Sequence, residues 1–155
     1  MEAINDKITD LKEHGADTNQ FCGFRIGSNF YAIPVQHVQE VIKNQRITGV
    51  PLSDSHIRGL ISLRGQVVTS VSLRTLFGLD EDFQEDHMNI IVRSDEALIA
   101  LAVDQIEDII ELKRENFEST PDTLDPKIKV FITGVYKEEK DLIIVLDLEK
   151  VLTLT

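Results

Sequence analysis

The chain has 155 residues and one cysteine, Cys22, so neither an internal disulfide nor a cysteine-built metal cage can form. No apolar run approaches the roughly 20 residues that a bilayer-spanning helix needs. The opening Met1-Glu2-Ala3-Ile4-Asn5-Asp6 holds neither the basic region nor the apolar core of a signal peptide, and the start at Met1 argues against truncation at the front. Positive charge is scarce as well. Sixteen Lys and Arg stand against 27 Asp and Glu, a net charge of -11, which argues against a nucleic-acid binder because attraction to phosphate is that role's first requirement. Few aromatic runs look exposed, which disfavours a single-strand-binding barrel.

Catalytic signatures are thin too. His14, His37, His56 and His87 are scattered, with no two-histidine metal spacing, and no glycine-rich loop offers a phosphate cradle. No serine sits in a G-x-S-x-G elbow, and Cys22 falls in a predicted strand rather than at a helix start that would favour a thiolate. His37 and Glu40 are three residues apart, a spacing that reads as a surface pair before a metal site. The expectation is a soluble, intracellular protein with no metal and no cofactor, whose work is binding.

What is present is β structure that occurs twice. With 42% hydrophobic residues the chain can bury a core as one domain or as two small lobes. Within residues 57–77, two apolar runs (60–63 and 67–71) flank Arg64-Gly65, the pattern of a β-hairpin with glycine at the tight position; a short helix follows without a spacer. Sliding by 75 positions lays this stretch on residues 132–152: Gly59 meets Gly134, Val67-Val68 meets Leu142-Ile143, Leu73 meets Leu148. The upstream part repeats at a shift of 68, where Phe30-Tyr31-Ala32-Ile33 meets Leu98-Ile99-Ala100-Leu101 and Val41-Ile42 meets Ile109-Ile110. Strands alternate, so some matches arise by chance, but two gapless blocks in one order indicate a two-fold repeat. The expected division is an acidic N-terminal segment over residues 1–19, then a domain over 20–153 made of repeats at about 20–78 and 88–152.

In chain order, residues 2–17 carry Ile4, Ile8 and Leu11 on one face of a predicted helix, loosely docked or frayed rather than membrane-binding because its polar face lacks basic excess, that stops near Gly15. Strands are predicted over 20–26, 30–33, 40–43, 60–63, 67–71, 88–93, 97–103, 106–112, 128–136 and 142–146. A helical turn follows Pro34, and short helices follow the hairpins, the last capped by Asp147. Residues 79–86 form an acidic connector, and 113–126, with two prolines, the longest irregular loop. Short strands at regular spacing indicate an all-β barrel or sandwich.

Charge is uneven. From Lys43 to Leu79 the cations Lys43, Arg46, Arg58, Arg64 and Arg74 face Asp54 alone, either a patch for an acidic partner or a set paired with the chain's own carboxylates. Asp104, Glu107, Asp108 and Glu111 read as a strand's solvent face rather than as acid/base machinery. Glu40 and Arg64, both beside apolar strand residues, are predicted to form a salt bridge on the first barrel, against two independent solvated side chains.

Five segments together resemble the CheW family of bacterial chemotaxis coupling proteins: residues 30–35 (FYAIPV), 38–42 (VQEVI), 59–68 (GLISLRGQVV) with Leu73-Arg74, 102–106 (AVDQI) and 143–150 (IIVLDLEK). The match covers roughly residues 20–153. The resemblance implies a mainly β fold of two intertwined five-stranded SH3-like β-barrels with short helices, and no enzymatic activity. It implies an adaptor that joins the cytoplasmic hairpin tip of methyl-accepting chemoreceptors to the regulatory domain of a chemotaxis histidine kinase, in membrane-associated arrays but without inserting into the membrane. By the same resemblance Val38, Glu40, Gly59 and Arg64 fall at positions tied to kinase or receptor coupling, and Ile106 and Ile109 on the inter-barrel groove that receives the receptor tip. Ser62, Ser70 and Ser72 stand where the family commonly has asparagine, proline and aspartate, which leaves open which kinase or receptor is engaged. Relatives in gliding or twitching pathways look similar. The other readings are a small-ligand or enzymatic barrel, marked by a deep pocket with convergent polar groups, and a coupling domain cut from a longer protein.

Overall fold

Two sheets carry the molecule, and each draws strands from both halves of the chain. The structure, a computed structural model, describes residues 2–15, 19–80, 83–95, 97–139 and 141–153. Helix α1 spans Glu2–His14, followed by β1 (Gln20–Ile26), β2 (Asn29–Pro34), a 3-10 turn (Val35–His37), β3 (Val38–Lys43), β4 (Ile57–Leu63), β5 (Gln66–Ser72) and α2 (Leu73–Leu76). The second half lays down β6 (Met88–Arg93), β7 (Leu98–Val103), β8 (Gln105–Glu111), a 3-10 turn (Arg114–Asn116) and β9 (Phe117–Glu118). It ends with α3 (Pro126–Lys129), β10 (Ile132–Lys137), β11 (Leu142–Leu146) and α4 (Leu148–Leu152). Of the expected N-terminal segment, residues 1 and 16–18 lie outside the described residues, as do Glu81 and Asp82 of the connector and the turn residues Glu96 and Lys140.

One sheet runs β3-β6-β7-β5-β4 and the other β8-β1-β2-β11-β10-β9. The fold is therefore mainly β: two intertwined five-stranded barrels with short helices, the second barrel extended by the two-residue β9. The sheets correspond in register. In the first, β5 and β7 run parallel with Thr69 opposite Ile99 and Ser70 opposite Ala100; in the second, β11 and β2 run parallel with Ile144 opposite Tyr31 and Val145 opposite Ala32. The irregularities correspond as well. The β4–β5 ladder shifts between Ile57 and Gly59, and the β10–β11 ladder between Ile132 and Gly134.

Alternation assigns the core. Along β7, Leu98 and Ala100 face the first barrel's interior with Ile42, Ile61, Val68 and Ile91, while Ile99, Leu101 and Val103 face a cluster shared by both barrels. Phe21, Ala32, Leu112, Ile143 and Val145 fill the second barrel. Through the shared cluster runs a chain of rings, Phe24–Tyr31–Phe77–Phe131, with centroids 5.8, 5.1 and 6.0 Å apart, each contact worth about 1 kcal/mol beyond its buried area.

Two expectations are corrected. Residues 113–126 are not wholly irregular, since β9 lies within them. The strand expected from residue 128 starts instead at Ile132, because Asp125 accepts a 2.9 Å hydrogen bond from the Lys127 N–H and Pro126 occupies the first helical turn, which together open α3.

Candidate functional site

The residues singled out from the sequence, the buried Val38 apart, fall on two surfaces joined by β3. The first is the closing edge of the first barrel. Arg64 and Gly65, with φ of 48° and 82°, form the two-residue turn between β4 and β5, where positive φ matches the twist of the flanking strands. This turn aims the Arg64 guanidinium at β3, where its Nη2 donates to Glu40 Oε1. The predicted salt bridge is present. Its arginine side chain is 66% exposed and its glutamate 19%, so it contributes at most about 1 kcal/mol. Gly59 sits in the β4 bulge at φ 145°. A Cβ there would collide with the Thr48 carbonyl oxygen and lie 2.6 Å from Ile47 Cγ2. That close approach lets Thr48 and Leu60 exchange backbone hydrogen bonds of 2.8 and 2.9 Å, so a loop covers the β4 edge. Val38 differs from the other three: it is fully buried in the shared core, and its side chain anchors β3 from behind. Leu52 is fully exposed and Val67, two residues beyond the turn, is 70% exposed.

The second surface is the groove between β3 and β8. Ile106 and Ile109 lie half-buried on β8 against the shared core. Helix α1 lies over this groove, with Ile8 fully buried and Ile4 and Leu11 packed beside it. On the β3 side the Asn5 amide grips one residue twice: Val41 N–H donates to Oδ1 at 2.8 Å, and Nδ2 donates to the Val41 carbonyl at 2.9 Å. On the β8 side Lys7 Nζ lies 3.1 Å from both carboxylate oxygens of Asp108. The Ile109 N–H, at 2.7 Å, and then Lys7 hold the Asp108 carboxyl below its ordinary pKa. A cavity of about 880 Å³ continues the groove, lined in part by Ala3, Ile4, Lys7, Met88 and Ile106.

Sequence reasoning named the stripe on α1 but not its seat, because Asn5 and Val41 are 36 residues apart and Lys7 and Asp108 are 101 apart. It also missed a clasp between the barrels. Arg74 Nη1 donates to Asp104 Oδ2 at 2.6 Å, and the same oxygen accepts the Gly27 N–H at 2.7 Å. The Phe83 ring lies 4.7 Å from the Arg58 guanidinium and 4.8 Å from the His87 ring. His87 Nδ1 lies 2.8 Å from the Gln84 carbonyl, to which only a protonated Nδ1 can donate, so in the neutral ring Nε2 accepts from Arg58 Nη1 at 3.0 Å. Burial, with Arg58 beside it, lowers the His87 pKa.

Asp104, Glu107, Asp108 and Glu111 do not converge: they engage Arg74, Arg25, Lys7 and Asn19 respectively. Of the cationic stretch, Arg64 and Arg74 pair with the chain's own carboxylates. Cys22 is buried, and burial first and Asp108 second push its thiol pKa up to about 12. Among the described residues no group of three or more His, Cys, Asp or Glu could hold a metal. None of the helices among them is long and apolar enough to cross a membrane.

Comparison with known proteins bears on this geometry. A family model for the CheW-like domain matches residues 20–155. The chain is 30% identical to a chemotaxis protein CheW of Helicobacter pylori over 142 residues, covering 91% of this chain and 86% of that one. It is also 30% identical to a chemotaxis protein CheW of Bacillus subtilis over 130 residues, 83% of each. The crystal structure of the scaffolding protein TtCheW from Thermoanaerobacter tengcongensis superposes with a TM-score of 0.75 at 26% identity, covering 84% of this chain and 90% of that one.

Proposed function

The chain belongs to the CheW-like family of chemotaxis scaffolding proteins and is an adaptor of that kind; on that premise we propose which partners it joins and where. The first-barrel edge takes the regulatory domain of a chemotaxis histidine kinase, and the groove takes the cytoplasmic hairpin tip of a methyl-accepting chemoreceptor. The protein works in the cytoplasm, recruited to membrane-associated receptor arrays, and catalyses nothing. Residues 20–153 act as one domain of two repeats, 20–78 and 88–152.

The observation that carries this reading is that β3 belongs to both surfaces. Glu40 meets Arg64 at the barrel edge, and the next residue, Val41, presents its backbone to the groove. A partner that shifts β3 from one side changes what the other side offers, which is what coupling through shared contacts requires. Glu40, Gly59 and Arg64 shape the kinase edge, with the exposed Leu52 and Val67 as its apolar component. Val38 contributes by fixing β3, and Ile106 and Ile109 line the receptor side.

Co-sedimentation with a receptor signalling fragment, with and without the kinase, tests the assignment. Arg64→Glu is expected to cut kinase recruitment about tenfold while changing unfolding free energy by less than about 1 kcal/mol. Normal recruitment by that variant removes Arg64 from the interface. Failure of the unaltered chain to sediment with receptor or kinase ends the reading.

A further inference from the structure

Helix α1 lies outside the ladders of both barrels, and its seat is a built one. β3 is an edge strand, paired through Val41 to Ile90 of β6 on one side only. On its other side Asn5 supplies the donor and acceptor that another strand would supply. Lys7 reaches the opposite wall at Asp108 on β8, and Ile8 is sunk between the two walls. The helix thus carries apolar residues at a four-then-three spacing, Ile4, Ile8 and Leu11, flanked by a carboxamide for one wall and a cation for the other.

Its hold is nonetheless modest. A 13-residue helix is marginal by itself, Ile8 is its one described fully buried side chain, and both partners of the Lys7–Asp108 pair are 54% exposed, which makes the pair a weak one. Asn5 and Val41 can form equivalent bonds with water once the helix leaves.

We propose that α1 is a resident pseudo-ligand of the partner groove: it occupies the surface a partner's helix would use, and that helix must displace it by presenting the same chemistry to Val41 and Asp108. The inference rests on the adaptor reading above and adds its regulation. A groove filled nine-tenths of the time weakens an incoming helix about tenfold in apparent affinity.

The test uses the full chain and the Asn5→Asp/Lys7→Glu double variant, which keeps Ile8 while removing the donor to the Val41 carbonyl and repelling Asp108. Two quantities are measured: amide hydrogen exchange over residues 2–14 and at Val41, and affinity for a receptor signalling hairpin. Hairpin binding to the unaltered chain is expected to speed exchange in α1. The variant is expected to exchange faster in α1 without hairpin and to bind the hairpin at least about threefold more tightly. Hairpin binding that leaves α1 exchange in the unaltered chain unchanged, or equal affinity in a variant whose helix is released, overturns the inference while the adaptor reading stands. No hairpin binding by either chain overturns both. The exchange arm on the unaltered chain decides even where the variant folds poorly.

Discussion

In the first barrel, the inward positions of β5 and β6 carry Ser70, Ser72 and Asn89; the corresponding places around the second carry Val145, Asp147 and Phe21. The closures differ as well. The first barrel is finished by one backbone bridge, Thr48 to Leu60, and the half-exposed Glu40–Arg64 pair; the second is finished by β9, with Phe117 packed edge-on against Tyr136 at 5.2 Å. Yet register and bulges correspond strand by strand. Backbone geometry at turns and bulges therefore sets the architecture, and side chains are free to diverge. Some keep a role while changing identity: Ser72 caps α2 through the Thr75 N–H at 3.1 Å, and Asp147 caps α4 through the Lys150 N–H at 3.3 Å.

The largest expected effect tests whether the two bulges are equally constrained. Gly59 faces backbone and has positive φ, whereas a Cβ at Gly134 would meet mainly the ring of Phe117, a movable side chain. Urea unfolding should show Gly59→Ala destabilised by about 3 kcal/mol and Gly134→Ala by about 1 kcal/mol. Equal losses would make the two edges equivalent after all. The next effect concerns the polar interior. Ser70 Oγ is fully buried with no hydrogen-bond partner among the described residues, so Ser70→Ala should raise stability by about 1 kcal/mol. A loss instead would mean that the hydroxyl holds an ordered water that the apolar second barrel does not need.

The smallest effect probes the clasp between the barrels. His87 has a folded pKa below its ordinary 6.5, so the folded chain resists a proton that the unfolded chain accepts. Stability should then fall as pH drops below about 6.5 and level off once the folded pKa is passed. His87→Gln should flatten that slope in thermal unfolding between pH 7 and 5. A slope unchanged by the substitution would assign it to other groups.

Much of this was legible in the sequence because its causes are local. Arg64-Gly65 between apolar runs fixes the hairpin, Asp147 precedes its helix, and the repeat of apolar order carries the correspondence between sheets. What escaped has distant causes or few residues. Nothing near Asn5 announces Val41, and β9 is only two residues long, too short for any periodicity. The α3 start was readable in Asp125-Pro126 but was outweighed by the apolar Ile128, Val130 and Phe131 that follow. For the site, the Glu40–Arg64 pair was legible from charge and placement; the burial of Val38 was not, because alternation alone does not say which face of β3 the bulge turns inward.

The exchange of strands has a consequence during synthesis. When a ribosome has delivered residues only as far as 80, β3 and β5 both exist but β6 and β7, which sit between them, do not; β2 likewise waits for β11. Neither half can close a barrel by itself, so a nascent chain carries raw β edges until β11, Leu142–Leu146, has emerged. Any lesion that stalls translation midway should yield a sticky fragment rather than half a working adaptor.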